Sequence, residues 1–196
     1  MNKRIGWIAL MIVVLGAWIG FAQSELEAFP EGTTTMKYDI RGEDAGYQTM
    51  ELRVASLGDG TYTLSMLNEQ TGSPDDLSSF GFIFGGSSVS SGTGTSVDYS
   101  PLEALIDQRD RLQVGEDYLL PGGTEFTGIV SVDIAGVQCL EGSYIDTEDS
   151  NRRVNVAFAL SQPTFFSPRI RVEELRDGEW VETFIIELVE YTLSEG

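Results

Sequence analysis

Apolar and polar residues alternate along most of this chain. In TTMKYDI the apolar positions are Met36, Tyr38 and Ile40; in YQTMELRVAS they are Met50, Leu52 and Val54; in TYTLSMLN they are Tyr62, Leu64 and Met66. A period of two marks a half-buried strand, because successive side chains leave the backbone on opposite faces. RGEDAG and Gly58-Asp59-Gly60 separate these runs and carry turn chemistry, so the three strands form a meander.

The pattern returns in the second half. TEFTGIVSVDI, GVQCLEGSYI and RRVNVAFAL read as strands, the last with Val154, Val156, Phe158 and Leu160 on one face. PRIRVEEL and EWVETFIIELVEYTL flank Arg176-Asp177-Gly178, a hairpin signal. FGFIF, with Phe80, Phe82 and Phe84 at alternate positions, and DYLL add two short strands. The run GGSSVSSGTGTS that follows the phenylalanines reads as a flexible loop.

One segment changes period. Ser100-Pro101-Leu102-Glu103 is a capping box with proline at the first helical position. Leu102, Leu105 and Ile106 then recur at helical spacing, which predicts a short amphipathic helix over about 101–111, with Asp107, Arg109 and Asp110 toward water. The expected fold is mainly β: a strongly curved antiparallel sheet or half-barrel of about ten strands with one short helix. A flat sheet of that width would leave one apolar face bare, whereas a curled one covers itself.

The N-terminus adds a location. Lys3 and Arg4 precede a charge-free apolar run from Ile5 to Ala22, and Ala22-Gln23-Ser24 sets small residues at the two positions a signal peptidase reads. Residues 1–24 therefore read as a secretory signal, or as a retained anchor if residues 5–22 stay in the membrane. Either way the rest lies outside the cytoplasm: periplasmic, cell-surface or secreted. Residues 25–196 read as one β-rich domain with no internal repeat.

Charge then narrows the partners. The chain has 31 acidic and 12 basic residues, a net charge of −19, and Lys37 is the only lysine beyond Lys3. Nucleic acid and anionic headgroups carry the same sign and are excluded as partners.

Chemistry is narrowed further by what is missing. The chain has no histidine and one cysteine, so imidazole-based triads, zinc sites and internal disulfides are out of reach. Cys139, in the apolar GVQCLEG, reads as a buried, inert thiol. The Gly/Ser run lacks the Gly-Lys-Ser/Thr of a phosphate loop. Asp146-Thr147-Glu148 departs from the Asp-Thr/Ser-Gly of aspartic proteases, and no spacing rule singles out a glycosidase pair among so many carboxylates. The expectation is a non-catalytic protein without a cofactor.

Two polar clusters remain. DTEDSN is an ordinary turn or a cation site formed by Asp146, Glu148 and Asp149, although the EF-hand pattern fails at Asn151 and Ala157. Arg152, Arg153, Arg169, Arg171 and Arg176 are either cross-strand ion-pair partners or an anchor for an acidic ligand group.

From Met36 to Leu64 the chain runs Tyr-x-Ile, a glycine turn, a long alternating strand, Gly-Asp-Gly and Tyr-x-Leu. This stretch resembles the opening strands of exported half-barrel domains similar to the periplasmic carriers of lipoproteins and other lipid-bearing molecules. The resemblance implies a curved sheet around a helix-plugged apolar cavity. Phe80, Phe82, Phe84, Leu102, Leu105 and Ile106 would then be wall and plug, and the partner an apolar or lipid-like ligand. The alternative is a cell-envelope or surface interaction domain with a filled core, whose partner is another envelope protein.

Overall fold

The computed structural model describes residues 29–43, 46–70, 82–85, 88–91, 96–98, 102, 105, 111–147, 149–160 and 162–194, with backbone only at 70 and from 82 to 98. The expected signal at 1–24, the capping-box residues Ser100, Pro101 and Glu103, the polar positions Asp107, Arg109 and Asp110, and the site candidates Phe80, Ile106 and Glu148 lie outside the described residues.

Nine strands form one open antiparallel sheet. They are β1 (Thr33–Gly42), β2 (Gly46–Ser56), β3 (Tyr62–Gln70), β7 (Tyr118–Leu119), β8 (Glu125–Ile134), β9 (Val137–Ile145), β10 (Arg152–Ala159), β11 (Arg169–Arg176) and β12 (Glu179–Ser194). Their order across the sheet is β3-β2-β1-β12-β11-β10-β9-β8-β7. β1 lies third from one edge, and β12 fills the centre between β1 and β11. Each long strand expected from the alternation is present, and the first three form the expected meander.

Three further strands form a separate sheet, β4 (Phe82–Gly85), β5 (Ser88–Ser91) and β6 (Ser96–Asp98), in the order β4-β5-β6. Two expectations are corrected here. FGFIF supplies a strand, but not to the curved sheet. The Gly/Ser run, expected as a loop, holds β5 and leads into β6. Val89 stands opposite both Phe84 and Val97 in register, and such β-branched and aromatic positions set in serine favour pairing that the glycine content conceals.

Cross-strand register aligns the apolar positions into rows. Met36 faces Leu52, Tyr38 faces Met50 and Leu188, and Ile40 faces Ile186, which faces Ile170. Val156 continues the row beside Ile170, and all of these residues are buried. They belong to one core cluster that also holds Phe126, Phe158, Phe184, Leu102, Leu105 and Leu112. At the β8–β9 end both parities are buried, Cys139 and Leu140 side by side, so this part of the sheet is packed on both faces.

The sheet bends at three register shifts, beside Lys37/Tyr38, Val172/Glu173 and Thr127/Val130. An extra residue in one strand bends it and increases the local twist, which coils the sheet around its core. Gly142 deepens the concave side. A Cβ there would lie 2.5 Å from Phe126 Cε1, so the missing side chain lets the Phe126 ring reach across β9. It meets Phe158 of β10 edge-on, with centroids 5.7 Å apart.

Candidate functional site

Two of the six cavity candidates have described side chains. Leu102 and Leu105 are helical and buried in the core cluster. Phe82 and Phe84 lie on β4, of which the backbone is described, in the smaller sheet.

The concave face has a second cover that the alternation did not signal. The connection from β10 to β11 lays Phe166 on Tyr38, ring centroids 6.2 Å apart and nearly perpendicular. The Tyr38 hydroxyl donates to the Phe166 carbonyl at 3.2 Å, and the Tyr191 hydroxyl donates to the Pro163 carbonyl at 3.3 Å. Burial pushes the Tyr38 phenol far above its ordinary range, so it stays a neutral donor. The signal was available in QPTFFSP, where two aromatic residues sit between prolines: the prolines stop the strand and the rings need a surface to cover.

The five late arginines are engaged by carboxylates. Arg169 reaches Glu187 on β12 at 2.5 Å and Glu141 on β9 at 3.2 Å. The second contact spans β10, and Ala157 is what stands between the two in register, small enough for the guanidinium stem to pass over it. Arg171 also meets Glu141 at 3.2 Å. Arg153 donates to Glu173 at 2.7 Å and stacks over the Trp180 ring at 4.6 Å. Arg176 grips Glu43 through two bonds of 2.7 Å, tying the end of β11 to the β1–β2 turn. Arg152 lies 3.6 Å from Asp146. The cluster is a ladder of cross-strand ion pairs, which leaves no arginine of the five waiting for an acidic ligand.

Glu173 shows the balance within that ladder. Burial opposes its charge, but hydrogen bonds from Arg153 and Asn155 outweigh burial and hold its pKa below the ordinary carboxylate range. Cys139 has the opposite fate: burial pushes its thiol up to about 12, as expected of an inert cysteine.

The DTEDSN segment forms the β9–β10 turn. Asp146 faces Arg152, and Asp149 accepts the backbone N–H of Asn151 at 3.0 Å, the geometry of an Asx turn. Among the described residues no cluster of acidic or thiol side chains is placed to hold a metal ion.

A different region stands out. On the convex face, Lys37, Asp39, Thr49, Glu51, Leu67, Glu69 and Val189 line a depression of about 280 Å³. Register explains it. Lys37, Glu51 and Leu67 form one cross-strand row, and Asp39, Thr49 and Glu69 form the next. The bulge in β12 displaces Val189 and opens the side. Glu190 holds Lys37 at 2.8 Å, Glu51 lies 4.0 Å from it and is also paired with Arg53, and Asp39 accepts from the Tyr47 hydroxyl.

The depression opens onto β3, an edge strand. Leu64 and Met66 face Val54 and Leu52 in register, so they lie on the core face, yet they are 44% and 47% exposed where their partners are buried. Leu67, on the other face, is 55% exposed. The sequence chemistry named neither the depression nor the edge. Alternation alone cannot tell an edge strand from a central one. The chain matches no known protein family and no curated protein sequence.

Proposed function

We propose that this is an exported, non-catalytic domain that works by protein contact, with a core filled by its own side chains. The observation that carries this reading is the covering of the concave face at its centre: Phe166 covers Tyr38, and Leu102 and Leu105 are buried in the core. The ion-pair ladder supports it, since the convex arginines are spent on internal carboxylates. Export rests on Lys3, Arg4, the apolar run to Ala22 and the small residues before Glu25.

The second reading is a lipid carrier similar to the half-barrel carriers, in which an apolar ligand lies beside Leu102 and Leu105. Their place in the core, where a plug would sit, is the observation that favours it. Native mass spectrometry of the protein purified from its natural host separates the two. The interaction reading expects a ligand-free mass and no extractable apolar compound. A bound lipid-sized mass, lost in Leu105→Glu without unfolding, overturns it in favour of the carrier.

A further inference from the structure

We infer that the open edge of β3 takes up an extended segment of a partner protein as one more antiparallel or parallel strand, with alternate residues apolar on one side and arginine or lysine on the other. This rests on the interaction reading and names its surface and the chemistry of its partner.

Three observations meet at this edge. The first is the backbone. β3 is a terminal strand paired only to β2 among the described residues, so every second N–H and C=O points away from the sheet. Edge strands are ordinarily blunted by proline, lysine, a bulge or short length. YTLSMLNEQ has neither proline nor lysine, pairs with β2 without a register shift and runs for 9 residues. The opposite edge, β7, has 2 residues and is blunted by length alone.

The second observation is the core-side row. Leu64 and Met66 continue the rows of Val54 and Leu52, have no strand beyond them among the described residues, and are about half exposed. Apolar side chains on an added strand would complete those rows and take their exposed apolar surface out of water.

The third is the outer row. Glu69 lies on β3 itself, Glu51 beside Leu67, and Asp39 two strands in, all lining the depression. An incoming arginine pairs with Glu69 directly. One opposite Leu67 lays its stem over that leucine, while Glu51 beyond it is already held by Arg53 and Lys37, so Glu69 is the carboxylate that receives the incoming charge. A net charge of −19 attracts a basic segment and repels a second copy of the chain.

The test uses the full chain and a synthetic blocked octapeptide of alternating valine and arginine, with hydrogen exchange and fluorescence anisotropy as readouts. The peptide is expected to bind, to protect amides within Tyr62–Gln70 and to weaken as salt rises. A peptide of equal charge with proline at a central valine is expected to bind about tenfold more weakly, because it cannot complete the ladder. Leu64→Lys and Glu69→Lys, on opposite faces of the strand, each weaken binding about tenfold. Equal binding of the proline peptide, protection outside β3, or edge amides already protected in the free protein by a second copy overturns the inference. No binding together with a ligand-free native mass overturns the edge and leaves the interaction reading standing; a lipid-sized mass removes that reading itself.

Discussion

At the scale of single residues, the smallest side chains decide what the large ones can reach. Gly142 clears the concave side for Phe126, and Ala157 clears the convex side for Arg169. Gly142→Ala forces a methyl to within 2.6 Å of Phe126 Cζ. The ring is held against Phe158 and cannot swing away freely. The expected loss is about 1–3 kcal/mol of stability, read as a lower urea midpoint with an unchanged slope; an unaltered midpoint contradicts the packing described. Cys139 is buried, with its thiol pushed up to about 12. In the folded protein it should ignore a thiol-reactive disulfide reagent at pH 8 and react fully once denatured. Its inertness was legible from apolar neighbours. The role of Gly142 was not, because a glycine in a strand looks the same whether it marks a bulge, a bend or a close approach.

At the scale of elements, two hairpins share one turn geometry but differ in how well their residues suit it. Asp177 and Gly178 both have positive φ, 53° and 87°, as a type I′ turn requires. Ala135 and Gly136 do the same at 52° and 82°. Alanine in that conformation carries a steric cost of about 1 kcal/mol that asparagine largely avoids. Ala135→Asn should therefore stabilise the protein by about 0.5–1 kcal/mol in urea unfolding, and a destabilised variant contradicts the turn assignment. The Arg-Asp-Gly turn was readable from sequence as a hairpin signal; at Ala135-Gly136 the sequence marked a break between two strands without naming the turn.

The ion-pair ladder makes an element-scale prediction about acid. The pKa of Glu173 is lowered in the folded state, so its stabilisation is fully present above the unfolded carboxylate value and is lost as pH falls through the folded one. Glu173→Gln should flatten the acid limb of stability between about pH 5 and pH 3. An acid limb identical to that of the parent protein removes Glu173 from the linkage. That arginines and glutamates would pair was legible from their alternation in RIRVEEL; which pairs cross a strand was not, since that depends on Ala157 in another segment.

At the scale of the whole molecule, the strand sequence, the meander and the antiparallel class were all legible, because each follows from period-two alternation and local turns. The order of the strands was not. The chain returns β12 to the centre beside β1, a long-range pairing that no local pattern encodes. The second sheet was missed for a local reason: glycine and serine masked the valines that pair there. The same limit hid the candidate site, since an edge exists only once the neighbours of every strand are known.

The sheet is open, with its concave centre covered by its own chain and its β3 edge unpaired among the described residues. Residue-resolved amide exchange by NMR tests this arrangement most directly. In β1, β12 and β11, whose amides find partners on both sides, protection should be high and continuous. In β3 it should alternate, with amides bonded to β2 slow and those facing outward fast. Continuous protection along Tyr62–Gln70 at all protein concentrations would contradict the open edge and, with it, the surface on which the functional account rests.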